Sequence, residues 1–313
     1  MAAMYDIVIV GGGPAGYSAA LYAARAGLHA VVLEKQSVGG QAVRSENIEN
    51  YPGFDAGVDG FTLGEQMQRG AERFGAETLL AEVQRVTLRT PIKQLDTSEG
   101  AILSKTVVLA TGATPRMLGL PAERELTGRG VHYCAVCDGR AYRGKTVTVI
   151  GGGSSAAEDA LTLSRFAKKV YLIHRRDTLR AEKIYAKQLE ETKNVEFCWN
   201  STVEKLIGTN RLTGVQIRSG KDRTAQELLC DGVFVSIGRD PATELFCGQV
   251  KMDQAGYLCA DETTKTDIPG VYAVGDIRTK PLRQIVTAAA DGAVAAHFAG
   301  QYLHEQKVDA EQI

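Results

Sequence analysis

The sequence predicts an α/β fold in which one strand–turn–helix–strand unit is written twice. Three observations carry this. Residues 5–34 (YDIVIVGGGPAGYSAALYAARAGLHAVVLE) and 145–174 (KTVTVIGGGSSAAEDALTLSRFAKKVYLIH) align without a gap at an offset of 140 residues. Each copy opens on a continuous apolar run, as strands buried on both faces of a parallel sheet do. Each run breaks into glycines and passes into a helical stretch with small residues on one face.

In the first copy the strand Ile7-Val8-Ile9-Val10 ends at the turn Gly11-x-Gly13-x-x-Gly16. The helix that follows carries Ala15, Ala19 and Ala23, and a second strand comes at Ala30-Val31-Val32-Leu33. In the second copy Val147-Thr148-Val149-Ile150 ends at Gly151-x-Gly153-x-x-Ala156. Its helix carries Ala156 and Ala160, and its second strand is Val170-Tyr171-Leu172-Ile173. Strand, glycine turn, helix and strand make a right-handed βαβ unit. A glycine-rich loop alone is weak, and two plain crossovers without ligand are the alternative. Here both loops have the strand before and the helix after that a dinucleotide fingerprint requires. The first glycine makes the turn, the second lets backbone approach a pyrophosphate, and the third position permits close helix packing. The helix start then offers N–H groups and the positive end of its dipole. The fold class is therefore α/β, with two Rossmann-like dinucleotide-binding domains.

The ends of the second strands separate the two ligands. Glu34 stands 23 residues after Gly11, where a carboxylate accepts from ribose hydroxyls and repels a 2′-phosphate. At the same distance from Gly151 stands His174, followed by Arg175, Arg176 and Arg180. Guanidinium groups suit a phosphate dianion by charge and by paired hydrogen bonds. The first unit is thus expected to bind FAD or NAD and the second NADP(H), against the alternative of a solvated basic helix start. Two further apolar runs end in turns, Val107-Val108-Leu109-Ala110-Thr111-Gly112 and Val271-Tyr272-Ala273-Val274-Gly275-Asp276. Both favour flavin in the first unit. Asp276 reads equally as a ligand to a hydroxyl or as a helix cap.

With 313 residues, 44% hydrophobic and 23% charged, the chain has room for two globular domains. Its net charge of −1 gives no basic excess to attract nucleic acid or a membrane surface. The first residues lead straight into a strand, without the basic and apolar regions of a secretory signal. No apolar stretch reaches the length of a membrane span. A cytoplasmic location is expected, where thiols stay reduced. Of the cysteines, Cys134 and Cys137 are close in sequence, while Cys198, Cys230, Cys247 and Cys259 are scattered. The scattered four are expected to be small hydrophobes in a core. The pair, in His132-Tyr133-Cys134-Ala135-Val136-Cys137-Asp138, could be half of a zinc site, a redox couple or two inert thiols.

Jointly, several motifs carry a resemblance that runs from about Tyr5 to Leu303. They are Gly11-Gly12-Gly13-Pro14-Ala15-Gly16, Gly39-Gly40-Gln41, Glu49-Asn50-Tyr51-Pro52-Gly53, Ala110-Thr111-Gly112, Cys134-Ala135-Val136-Cys137-Asp138, His174-Arg175-Arg176 with Arg180, Gly275-Asp276 and Arg283-Gln284. The sequence resembles the low-molecular-weight thioredoxin reductases. The resemblance implies a homodimeric enzyme that moves electrons from NADPH through FAD and a CxxC disulfide to thioredoxin. It implies an FAD domain split in two, residues 1–116 and 245–313, with an NADPH domain inserted over 117–244. FAD contacts are implied at Gly11, Gly13, Pro14, Ala15, Gly16, Glu34, Gly40, Gln41, Asn50, Ala110, Thr111, Gly112, Gly275, Asp276, Arg283 and Gln284. NADPH contacts are implied at Gly153, Ser154, Ser155, Glu158, His174, Arg175, Arg176, Arg180 and Ile237. The chain departs from the family pattern at Ser154, at Ala242 and in the charged stretch Val43-Arg44-Ser45-Glu46.

With flavin and NADPH at hand, the redox reading of the cysteine pair prevails over zinc, and no metal is expected. The resemblance implies that Cys137 faces the flavin, that Cys134 attacks thioredoxin and that Asp138 is the acid–base group. Asp138 could also cap a helix. It further implies a rotation of the NADPH domain between the two half-reactions, with hinges near 116–119 and 237–241. The alternatives kept are a flavin disulfide reductase for another dithiol protein and a redox-sensing dinucleotide-binding module without turnover.

Overall fold

A computed structural model describes residues 3–45 and 47–311, with side chains to residue 308. Glu46, one of the departures named above, lies outside the described residues. The chain divides into two compact units. One holds the residues through Thr114 and those from Asp240 onward; the other is Pro115–Arg239. The divisions lie at 114/115 and 239/240, where the expected ones were 116/117 and 244/245.

The first unit is built on a sheet whose strands run in the order Glu77–Leu80, Ala30–Glu34, Ala3–Val10, Gly100–Leu109, Lys93–Thr97 and Val83–Thr87. Ala3–Val10 pairs in parallel on both sides, Val8 opposite Val31 and opposite Val107. Its inner residues Ile7, Val8 and Ile9 are fully buried, which is why the sequence reads apolar without alternation. Gly100–Leu109 is long enough to take two partners along one edge. Its first half pairs antiparallel with Lys93–Thr97, and its last residues pair in parallel with Val271–Ala273. The helix Pro14–Arg25 packs on this sheet and against the long helix Ile285–Glu311. The crossing is made of alanine and glycine: Ala15, Ala19 and Ala23 lie in one core with Ala288, Ala295, Ala296 and Ala299. A Cβ at Gly292 would sit 2.2 Å from the Ala15 carbonyl oxygen, so the backbones touch only because glycine stands there.

The second unit repeats the plan. Its sheet is wholly parallel in the order Val195–Cys198, Lys169–Ile173, Thr146–Gly151, Gly232–Ser236 and Val131–His132. The helix Ser154–Ser164 covers it with Ala156, Ala157, Ala160 and Leu163. An antiparallel meander, Ser201–Gly208, Leu212–Ser219 and Ala225–Leu229, adds a second apolar layer. The two strand–turn–helix–strand units are therefore present where the repeat predicts them.

At the chain crossings, the short strands Ala113–Pro115 and Arg239–Pro241 pair as a ribbon. It is fastened at each end: Ala242 N–H donates to Gly112 O and Arg116 N–H to Gly238 O, both at 3.0 Å. Thr111 Oγ1 donates to Ala242 O at 2.6 Å, so position 242 serves through its backbone and its departure from the family residue leaves this contact intact.

Candidate active site

The two glycine turns solve one packing problem with different residues. In the first, Gly11 has φ +111°, and a Cβ there would lie 2.5 Å from Ala110 O. A Cβ on Gly16 would lie 1.9 Å from Gly11 O, so the third glycine lets the helix sit on the turn. Glu34 braces this turn. Gly12 N–H donates to its Oε2 at 2.8 Å and Gln36 N–H to its Oε1 at 3.0 Å. Each carboxylate oxygen keeps a second lone pair for a hydroxyl.

In the second turn His174 takes the place of Glu34. Its ring lies against Gly152, where an added Cβ would be 2.1 Å from Cε1. The ring is 5% exposed, and its Nε2 is a buried polar atom with no hydrogen-bond partner among the described residues. Burial, and then the Arg180 guanidinium, hold the imidazole below its ordinary pKa. The side chains of Arg175, Arg176 and Arg180 are exposed. Arg180 is brought back onto the turn by its own N–H, which donates to Gly152 O at 2.7 Å. Ser154 Oγ accepts from Glu182 N–H at 3.3 Å, fastening the loop after the arginines to the helix start. Glu158, on the exposed face of that helix, engages the Tyr185 hydroxyl and raises its pKa. Ile237 is 37% exposed just beyond the strand Gly232–Ser236.

Both turns fit a dinucleotide. Among the described residues, and apart from the adjoining chain, a Cβ built on Gly13 would come within 4 Å of Gly40 Cα alone, at 3.9 Å, and one on Gly153 would meet nothing that near. These are the glycines at which a pyrophosphate approaches. No side chain among the described residues caps either helix start. Around the first turn the other expected residues converge. Gly40, at φ +58°, faces Gly13, with Gln41 next along the same 3₁₀ turn Gly40–Arg44. Asn50 Nδ2 donates to Gln284 Oε1 at 3.0 Å, joining two expected contacts that are 234 residues apart. A Cβ on Gly275 would be 3.0 Å from Ala15 Cβ, so the Gly275-Asp276 turn lies against the start of the first helix. Gly275 N–H donates to Asp291 Oδ2 at 2.8 Å. Asp291 is buried in a network with Arg278 and Lys280, whose charges hold its carboxyl below the usual range despite burial. Arg283 lies over the Tyr257 ring at 4.1 Å and donates from Nε to Asp276 O at 3.4 Å.

Cys134 and Cys137 form a disulfide. Cys134 precedes and Cys137 lies within a single helical turn, Ala135–Asp138, and Cys137 N–H donates to Cys134 Sγ at 3.2 Å. Cys134, not Asp138, caps this helix. The Asp138 carboxylate lies instead 3.3 Å from His132 Nδ1, and His132 Nε2 is 2.7 Å from the Tyr142 hydroxyl. Beneath the helix, Asp159 accepts from Ala135 N–H and from Ser236 Oγ. Burial pushes the Asp159 carboxyl up to about 6, against the lowering effect of these donors.

Two groups lay outside the sequence reading. Glu123 is 1% exposed and accepts from the N–H groups of Leu118, Gly119 and Leu120 and from the Tyr133 hydroxyl. It ties the crossing segment to the residue before Cys134. Asp159 is the other. The expectation for the scattered cysteines needs one correction: Cys230 is buried, but Cys247 is exposed, because Phe246 beside it fills the core. Burial raises the thiols of Cys198 and Cys230 to about 11, which leaves them unreactive.

Two dinucleotide turns and a disulfide at a helix start define a nucleotide-dependent disulfide oxidoreductase. Residues 5–292 match the pattern of the pyridine nucleotide-disulphide oxidoreductases. The chain is 43% identical over 299 residues to a thioredoxin reductase of Treponema pallidum, covering 96% of this chain and 97% of that protein. It is 43% identical over 316 residues to a thioredoxin reductase of Streptomyces clavuligerus, covering 100% and 98%. A crystal structure of thioredoxin reductase from Streptococcus pyogenes superposes with a TM-score of 0.92 at 41% identity, covering 97% of this chain and all of that one. The chain belongs to the pyridine nucleotide-disulphide oxidoreductase family and, within it, to the thioredoxin reductases.

Proposed function

We propose that the protein is an NADPH-dependent reductase of thioredoxin, with FAD in the first unit and NADPH in the second. The Cys134–Cys137 disulfide, set within the unit that carries the arginine cluster, is the observation that carries this reading. Flavin, when bound, supplies two-electron exchange between a nicotinamide and a disulfide. Glu34 selects a free ribose in the first unit. Arg175, Arg176 and Arg180 select the 2′-phosphate in the second.

In the dithiol form the Cys134 thiolate attacks one sulfur of the thioredoxin disulfide, and the departing sulfur takes the Asp138 proton. Cys137 then passes its proton to the Asp138 carboxylate and attacks Cys134 Sγ of the mixed disulfide, and the second thioredoxin sulfur leaves with that proton. The thioredoxin dithiol leaves, and the Cys134–Cys137 bond is restored. Two electrons pass to the partner for each enzyme disulfide formed. Rotation of the second unit about the ribbon at 113–115 and 239–241 alternates the disulfide and the nicotinamide at the flavin. A homodimer in the cytoplasm completes the reading, in keeping with a dithiol product. No helix among the described residues is long and apolar enough to cross a membrane.

The test is anaerobic. NADPH bleaches the flavin absorbance of the holoenzyme, and oxidised thioredoxin restores it. In Cys134→Ser, bleaching by NADPH persists and recolouring by thioredoxin is lost. A wild-type enzyme that no thioredoxin recolours refutes the reading and favours a sensor without turnover.

A further inference from the structure

His132 ends the strand Val131–His132, and its side chain is only 10% exposed. Its ring stacks on Phe234, with centroids 5.3 Å apart, and meets Tyr142 edge-on at the same distance. Packed from two sides, the imidazole is held in one orientation. In that orientation Nδ1 faces the Asp138 carboxylate and Nε2 faces the Tyr142 hydroxyl.

Tyr142 is 2% exposed, and its hydroxyl meets His132 Nε2 at 2.7 Å. A buried hydroxyl proton left without an acceptor is costly, so the hydroxyl donates to Nε2. With Nε2 accepting, the proton of the neutral ring sits on Nδ1, 3.3 Å from Asp138 Oδ2. Tyr142 and His132 thus present their protons in one direction. Other charged groups beside Tyr142 are Arg211 and Asp231, which act on it electrostatically, and Lys145, whose Nζ lies 5.4 Å from the ring centroid; Asp159 accepts from Ala135 N–H beneath the helix.

We propose that His132 is a positioning residue for Asp138, with its tautomer set by Tyr142. This rests on the reading of Asp138 as the proton donor to the departing thiolate. The fixed ring sets the direction in which the carboxyl group presents its proton. The sequence holds no motif for it, since Phe234, on which the ring stacks, comes from a strand 102 positions beyond His132.

The test is the rate at which oxidised thioredoxin reoxidises the reduced holoenzyme, followed by stopped flow beside the rate at which NADPH reduces the flavin. Asp138→Asn slows reoxidation by roughly 10²-fold, the size of a lost general acid. Tyr142→Phe keeps the ring packing and slows reoxidation by about threefold or more, with flavin reduction unchanged. His132→Phe, which keeps the stack on Phe234 and has no ring nitrogen, does the same and decides the matter if Tyr142→Phe does not fold; His132→Asn, with an amide nitrogen near the place of Nδ1, restores part of the rate. A packing role alone would shift the melting temperature and leave both rates in place. Reoxidation unslowed in Tyr142→Phe and His132→Phe, while Asp138→Asn still slows it, overturns the inference and spares the proton donor. Reoxidation left whole by Asp138→Asn overturns both.

Discussion

Glu34 and His174 occupy the same place in two copies of one turn, and the comparison shows what a single position decides. Each packs against the second residue of its glycine turn. Glu34 does so by accepting two backbone N–H groups, which leaves a carboxylate at the rim; His174 fills the same space with a buried ring and passes the exposed role to the arginines. The double change Arg175→Ala with Arg176→Ala is expected to raise KM for NADPH by about tenfold or more, the loss of roughly one charge-assisted contact. KM for NADH should barely move; steady-state kinetics with both nucleotides checks this. Asp159 supplies a pH effect. Its carboxyl titrates near 6 in the fold, against an ordinary 3.8, so the folded state holds the proton more tightly than the unfolded one. Its protonated form favours folding below the ordinary value, and that contribution is lost as pH rises through the folded value. Asp159→Asn, neutral at every pH, is expected to melt higher than wild type at pH 8 by an amount of order 2 kcal/mol, with the gap closing near pH 4. Equal melting curves at pH 8 would contradict it.

At the scale of elements, helix crossings rather than side-chain chemistry bring the first site together. The helices Pro14–Arg25 and Ile285–Glu311 touch through Gly292, and Gly275 brings its turn onto Ala15 beside that crossing. Gly292→Val is expected to force the two helices apart, lower stability by roughly 1–3 kcal/mol and weaken flavin retention. Melting temperature and the ratio of flavin to protein absorbance measure the two effects. The strands and turns were legible because buried parallel strands and glycine turns leave local patterns, and the arginines because they follow a strand at a fixed distance. Glu123, Asp159 and the His132–Asp138 pair were not. Their meaning lies in donors supplied by other elements, and Glu123 in particular looks from sequence like one more charged residue in Pro121-Ala122-Glu123-Arg124-Glu125. Asp138 stood out in the sequence but its contact did not, because a helix cap and a carboxylate beside an imidazole share one local sequence.

For the molecule as a whole, the ribbon at 113–115 and 239–241 is where both chain crossings run side by side. If turnover needs the second unit to rotate about it, a bifunctional cross-link tying one unit to the other should abolish thioredoxin-coupled turnover, with the linked residues identified by mass spectrometry. Undiminished turnover in fully cross-linked enzyme would remove rotation from the mechanism. The number of domains was legible from the repeat alone. The place of each boundary was not, since a crossing strand of three residues has no periodicity to read.

The interleaving of the two units also sets an order of events on the ribosome. The unit Pro115–Arg239 has its whole sheet once its last strand, Gly232–Ser236, has been made. The other unit must wait, because its sheet lacks Val271–Ala273 and its first helix lacks the cover of Ile285–Glu311 until those later segments have been made. Throughout that interval the alanine face of Pro14–Arg25 is bare, so an early segment of this unit waits for one made about 260 residues later.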